Sequence, residues 1–206
     1  MSGLLPAFET AQGLLALTGL LAYLLGSIPF GIVMARLFGL GDLRAIGSGN
    51  IGATNVLRTG NKTAAALTLI LDAGKGGAAV LIARALLGED AAQLAGFAAF
   101  LGHCFPVFLR FRGGKGVATF LGTLLALAWP VGLAACATWA VVAGVSRYSS
   151  LSALMAAALS PLWAGLLGNG SAAILCAALA VLIFIRHREN IARLLAGTEP
   201  KIGRGA

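Results

Sequence analysis

Long apolar runs alternate with short polar interruptions along this chain. The runs cover residues 14–38, 63–87, 91–109, 116–128, 130–146, 151–167 and 171–186. Most approach the roughly 20 residues with which an α-helix crosses about 30 Å of hydrocarbon. The pattern predicts an all-α membrane protein, a seven-transmembrane-helix bundle forming one domain over residues 1–206. The fourth run is short, and Trp129-Pro130 separates it from the fifth. Connections are tight, and no repeat with a solenoid period is visible. The first run has no Lys or Arg ahead of it until Arg36. It is also longer than the apolar core of a secretory signal, so it reads as a retained helix.

Composition supports this class: 59% of the 206 residues are hydrophobic and only 11% are charged, with a mean hydropathy of +0.92. An ordinary soluble domain is far less apolar. All Lys and Arg residues except Lys75 and Arg84 fall in four stretches: around Arg36–Lys62, Arg110–Lys115, at Arg147, and from Arg186 through Arg204. Seven crossings would put these stretches on one side. The positive-inside rule makes that side cytoplasmic and places the N-terminus outside. The net charge of +8 is then explained by topology and anionic headgroups, and it calls for no nucleic acid. Cys104, Cys136 and Cys176 sit apart within apolar runs, without the spacing of a metal site or a disulfide framework. No metal and no cofactor are expected.

The unusual residues gather on the basic side. In "GSGNIGATNVLR" the glycines let backbone N–H groups turn inward as an anion-binding nest. Ser48, Asn50, Thr54 and Asn55 add short donors, and Arg58 offers a planar fork for phosphate oxygens. A turn that only joins two helices would not need so many donors. In "RFRGGKGVATF", Gly113, Gly114 and Gly116 bracket Lys115 just before a helix start. The Walker spacing is missing, so a nucleotide fold is not implied. In "RHREN", His187 and Asn190 would share a face if the last helix continued. "SRYSSLSA" brings Arg147 and the hydroxyls of Ser149, Ser150 and Ser152, where capping of a helix start competes with a role in binding. Within the apolar runs, Asp72 and Lys75 are three residues apart and can pair, and His103 reads as a packed, hydrogen-bonded histidine.

Carboxylates are scarce on the basic side, where only Asp42, Glu189 and Glu199 occur. A two-metal site generally needs several that converge. No nucleophile elbow is present and no cysteine lies in a basic loop. What remains is a pocket of positive charge and N–H donors at a membrane surface, suited to phosphate-bearing substrates of which one carries a fatty chain.

From "AYLLGSIPFG" through "LRAIGSGNIGATNVLR", "LDAGKGG", "LGHCFPVF" and "FRGGKGVATF" to "RHRENIARLL", the chain closely resembles the bacterial acyl-phosphate:glycerol-3-phosphate acyltransferases. This family comprises integral enzymes of phospholipid biosynthesis in the cytoplasmic (inner) membrane. The resemblance implies transfer of an acyl group from acyl phosphate to the 1-hydroxyl of glycerol 3-phosphate, giving lysophosphatidic acid and phosphate. It also implies seven helices, an outside N-terminus and an active site facing the cytoplasm, among membrane lipids. Matched motif by motif, Ser48, Asn50, Thr54 and Arg58 fall at phosphate-handling positions and Lys115 at the glycine-flanked lysine. His187 and Asn190 match the last motif, and Ser152 matches a serine after the fifth span. Ser48, Lys115, His187 and Asn190 are therefore expected in catalysis. Asn50, Thr54, Arg58, Gly113, Gly114, Gly116 and Ser152 are expected in substrate binding. Gly74 stands where the family usually has a bulkier residue, which predicts looser packing near Lys75. His187 is placed to act as general base toward the glycerol hydroxyl; the resemblance points instead to a substrate phosphate as proton acceptor. A membrane transporter for a phosphate-containing solute is the rival reading, weakened because the polar residues gather on one face and no inverted halves are visible.

Overall fold

A computed structural model describes residues 4–203; Arg204, assigned above to the last basic stretch, lies outside them. Among the described residues the chain forms ten α-helices, three short 3-10 turns and no strand. The helices are α1 (Gln12–Gly26), α2 (Phe30–Leu37), α3 (Ala53–Leu57), α4 (Lys62–Leu87), α5 (Glu89–Cys104), α6 (Val117–Leu127), α7 (Trp129–Ser146), α8 (Ser149–Leu166), α9 (Ala173–Arg186) and α10 (Arg188–Leu195). Five stretches are long and apolar enough to cross a membrane: Gln12–Leu37, Lys62–Leu87, Glu89–Leu109, Trp129–Ser146 and Ser149–Leu166. A sixth is added if Gly170–Arg186 and Arg188–Leu195, bent by 64° at His187, count as one span.

The first predicted run is two helices, α1 and α2. Pro29 has no N–H and crowds the preceding turn, so helical bonding stops at Ser27–Pro29. The Ile28 carbonyl at this break is satisfied by the Lys75 ammonium (2.7 Å), as an interrupted helix in an apolar medium requires.

α4 is the axis of the bundle. Its 26 residues span about 39 Å. Asn61 caps its start by accepting the Ala64 N–H (2.9 Å). Gly88, at φ 110°, turns the chain straight back into α5, a conformation few side chains allow. The N-terminal segment docks at this same end, where the Thr10 hydroxyl donates to Asp90 Oδ1 (2.8 Å).

α6 has only 11 residues, about 17 Å of helix. It lies against the far half of α4, and small residues let the backbones meet. A side chain on Gly122 would strike the Ala73 carbonyl, and Thr119 Oγ1 donates to the Asp72 carbonyl (2.9 Å). At the far end, Arg84 donates to the carbonyls of Ala126 and Leu127 (both 2.7 Å), closing open helical acceptors with positive charge. The remaining depth on the near side is covered by the extended Gly113–Gly116 segment, so the Lys115 loop enters the bundle. The core around Phe100, Phe120, Leu124, Leu179 and Ile183 is fully buried. Leu20, Leu21, Ile70, Val141 and Val181 stay exposed, as lipid-facing positions do.

Candidate active site

The first polar loop is organised by Asn55. Its Nδ2 donates to the Leu43 carbonyl (2.8 Å), and its Oδ1 accepts from the Ser48 N–H (3.2 Å) and from Arg58 Nη1 (3.2 Å). Gly47 and Gly49 have φ of 53° and 65°, and the first must lack a side chain because Arg58 and Asn55 lie against it. The loop therefore presents Ser48, Asn50 and Arg58 from a fixed backbone. The short helix α3 then carries Thr54 to Ser149 at the start of α8, with the two hydroxyls 3.2 Å apart.

The second loop is pinned from two sides. The N–H groups of Gly113 and Gly114 donate to the carbonyls of Cys104 (3.2 Å) and His103 (3.1 Å). The carbonyls of Gly113 and Gly114 accept from the Arg186 guanidinium at 3.0 and 3.1 Å. A side chain on Gly114 would collide with the His103 ring, and one on Gly116 with Phe100. These glycines thus permit close packing, which aims Lys115 inward. Arg44 Nη2 donates to the Arg112 carbonyl (2.8 Å), so the two loops lie on the same end of the bundle.

Both loops open onto one cavity of about 500 Å³. Its polar end holds Ser48, Asn50, Thr54, Arg58, Lys115 and Gly116 from the two loops. Ser149 and Ser150 of α8, His187 at the α9–α10 bend, Asn190 of α10 and Glu199 beyond it close the cavity. Beyond these, the lining is mainly apolar, with Ala65, Leu69, Val117, Leu121 and Trp139 beside the buried Asp72 and His103, and the lining residues Leu57 and Leu69 are exposed. The cavity wall on this side thus includes apolar side chains that also reach the outer surface of the bundle.

Several expected residues are placed differently. Ser152 is fully buried and returns its hydroxyl to the Tyr148 carbonyl (2.8 Å); the serines of this stretch at the cavity are Ser149 and Ser150. Gly113 and Gly114 do not line the cavity but shape the loop that does. The last helix does not continue past Arg186, yet His187 and Asn190 on either side of the bend are both buried at the cavity. Gly74 faces open space, so its small size leaves no gap beside Lys75. Sequence reasoning missed Glu199 as a member of the site. Its Oε1 accepts from Ser150 Oγ (2.7 Å) and Asn190 Nδ2 (2.6 Å), and its Oε2 from Arg193 Nε (2.7 Å).

The electrostatics favour anions. Burial pushes the Lys115 ammonium down to about 8, with Arg193 and Arg186 acting the same way and Glu199 and Glu189 opposing. Burial also lowers Arg58, partly offset by Glu199. His187 Nδ1 lies 2.8 Å from the Ile183 carbonyl; a carbonyl only accepts, so Nδ1 carries the proton and Nε2 is left as an acceptor. Burial pushes His187 down to about 4, which keeps the ring neutral at pH 7. For Glu199, burial alone would raise the carboxyl, but the donors on it and the Arg193 charge hold it below its ordinary value.

The family model described as Glycerol-3-phosphate acyltransferase matches residues 16–197. A glycerol-3-phosphate acyltransferase of Jannaschia sp. (strain CCS1) is 76% identical over 201 residues, covering 98% of this chain and 99% of that protein. One from Cereibacter sphaeroides (strain ATCC 17025 / ATH 2.4.3) is 70% identical over 202 residues, covering 98% and 96%. The crystal structure of PlsY, an integral membrane glycerol 3-phosphate acyltransferase, is similar in its glycerol 3-phosphate form with TM-score 0.87 and 42% identity, over 93% of this chain and 96% of that one. Its lysophosphatidic acid form gives TM-score 0.84 and 39% identity over the same shares. With matches that run through both polar loops and the last helix, the chain belongs to the glycerol-3-phosphate acyltransferase family.

Proposed function

We propose that this protein transfers an acyl group from acyl phosphate to the 1-hydroxyl of glycerol 3-phosphate, releasing lysophosphatidic acid and phosphate at the cytoplasmic face of the bacterial inner membrane. The observation that carries this reading is the two-part cavity. Arg58, Lys115 and the Ser48 loop offer charge and donors at one end, and the apolar lining of Leu69, Leu121 and Trp139 accommodates a fatty chain. The same geometry supports a seven-crossing reading. The near end of α6 opens beside Lys115, whereas its far end is capped by Arg84 at the end of the bundle where Thr10 docks. Short α6 then counts as a crossing, which with the bent final pair makes seven; the basic residues gathered at the cavity end support a cytoplasmic cavity and an N-terminus outside.

An acyl phosphate is a mixed anhydride with a good leaving group, so the task is to hold two mutually repelling anions in attack geometry. Arg58 and Lys115 neutralise the phosphates, while Ser48 and Asn50 supply donors around them. The glycerol oxygen forms the new ester bond to the acyl carbon. The bond from that carbon to the phosphate oxygen breaks, and its electron pair leaves with the phosphate. A base with pKa near 4, as His187 has, is poorly matched to a hydroxyl. A phosphate, whose second pKa is about 6, is the better acceptor of the hydroxyl proton. His187 and Asn190 then serve to position.

The test is purified protein in detergent with both substrates. Phosphate release that requires acyl phosphate and glycerol 3-phosphate together is expected, with His187→Gln keeping more activity than Arg58→Ala or Lys115→Ala. Uptake of a phosphate-containing solute into vesicles with no acylated product would favour the transporter.

A further inference from the structure

The C-terminal segment beyond α10 folds back over the cavity. Gly197, at φ 71°, ends α10 in the left-handed conformation that glycine adopts freely. The chain then returns along the α7–α8 corner. There the Ile202 N–H donates to the Arg147 carbonyl (2.7 Å), Arg147 Nη2 donates back to the Ile202 carbonyl (3.1 Å), and the Lys201 ammonium sits 5.4 Å over the Tyr148 ring. This strap carries Glu199 into the site.

At Glu199 a relay of hydrogen bonds begins. Its carboxylate accepts from Asn190 Nδ2 (2.6 Å), and Asn190 Oδ1 accepts from the Lys115 ammonium. An amide has one accepting end and one donating end, and a carboxylate can only accept. Glu199 therefore permits one orientation of Asn190, the one that turns its oxygen to Lys115. Rotation by half a turn would set an N–H donor against an ammonium and leave a buried carboxylate oxygen without that donor, a costly arrangement on both ends.

We propose that Glu199 is a positioning residue for acyl transfer, fixing the Asn190 amide so that Lys115 is held where the substrate phosphate binds. This rests on the acyltransferase reading above. A carboxylate at this position also offsets part of the positive charge that crowds Lys115. The charges acting on Lys115 are Glu199 from the strap, Arg193 and Glu189 from α10 and Arg186 at the end of α9, and Arg58, Lys62, Asp72, His103 and His187 line the same cavity. Among these, Glu199 and Glu189 favour the protonated ammonium and the two neighbouring arginines oppose it. Removing the charge of Glu199 moves the Lys115 titration to lower pH.

The test compares wild type, Glu199→Gln and Glu199→Asp, each purified and checked for monodispersity in detergent. For Glu199→Gln, kcat/KM is expected to fall about 10- to 100-fold, the scale of a misplaced reacting group, and the alkaline limb of the pH profile to shift downward. Glu199→Asp, which keeps the charge on a shorter arm, is expected to restore the alkaline limb and part of the rate. A strap with only a structural role would lower the active fraction equally at every pH and leave the limb in place, which would overturn the proposal. So would a KM for glycerol 3-phosphate that falls while kcat holds, the signature of a carboxylate competing with substrate. Amine-reactive labelling of Lys115, read by peptide mass spectrometry across pH, gives a second readout that needs no turnover. Its midpoint should drop in Glu199→Gln, and an unchanged midpoint overturns the positioning role even if the transfer reaction itself were not found.

Discussion

The molecule holds two buried lysines in opposite circumstances. Lys75, only 3% exposed, lies 2.8 Å from Asp72 Oδ1 in an ion pair set off the line of a hydrogen bond, gives its hydrogen bond to Ile28 and sits 5.6 Å over the Phe30 ring. His103 Nδ1 is 3.5 Å from the same carboxylate oxygen. Lys115 is partly buried, touches a neutral amide and shares its cavity with Arg58. The first cation is balanced by a carboxylate in direct contact; the second touches none, with Glu199 one residue removed beyond Asn190 and Glu189 acting only through space against Arg193 and Arg186. An ion pair that is complete within the bundle holds helices together, whereas one left short of negative charge waits for an anion.

The largest effect should come from breaking the balanced pair. Lys75→Met strands Asp72 in the bundle and frees the Ile28 carbonyl at the α1–α2 break, a loss of about 3–5 kcal/mol for an uncompensated buried charge. Thermal unfolding in detergent reads it directly. Adding Asp72→Asn to Lys75→Met should recover part of the loss, because no orphaned charge then remains. If Lys75→Met unfolds like wild type but is inactive, the intramembrane cluster is part of the chemistry and the contrast fails.

Lys115→Ala should do the reverse. Removing a preorganised cation from a charge-stabilising site costs about 10²- to 10³-fold in rate, with little change in unfolding temperature because no buried carboxylate is stranded beside it. The pH profile sharpens the point. With its titration near 8, Lys115 is charged below that pH and loses its charge as pH rises through it. The wild-type kcat/KM should therefore fall on the alkaline side, and kcat itself should fall at higher pH, because bound phosphate favours the ammonium. An alkaline limb that survives in Lys115→Ala would assign it to another group.

Much of this contrast is legible in the sequence. Apolar runs locate the helices, and the spacing of Asp72 and Lys75 on one helix predicts their pairing. The break at Ser27–Pro29 is not legible from hydropathy, because the apolar run continues across it and the shorter of the two bonds to the Ile28 carbonyl comes from Lys75, far along the chain. Three serines within four residues, Ser149, Ser150 and Ser152, do not reveal which of them face the cavity; the helix start at Ser149 decides it. Glu199 is hidden for a different reason. Two of its partners, Asn190 and Arg193, are nearby in the chain but are met only across the turn at Gly197, and the third, Ser150, is 49 residues away. Periodicity does not show a turn folding back on its own helix or a contact that distant.

The smallest effect belongs to a contact without charge. Thr54 and Ser149 join the first loop to α8 through hydroxyls 3.2 Å apart, and both also line the cavity. A neutral, part-buried hydrogen bond contributes about 0.5–1.5 kcal/mol, so Thr54→Val and Ser149→Ala should each lower kcat/KM by about two- to tenfold. If their main role is to clip the loop to the helix, the double variant should fall no further than the worse single one, since each change already breaks the same contact. Multiplying losses would show instead that each hydroxyl meets substrate independently, placing Thr54 with Arg58 among the groups that hold phosphate. A double-mutant cycle on kcat/KM for glycerol 3-phosphate separates the two outcomes, and the geometry favours the clip because the two hydroxyls face each other within hydrogen-bond distance.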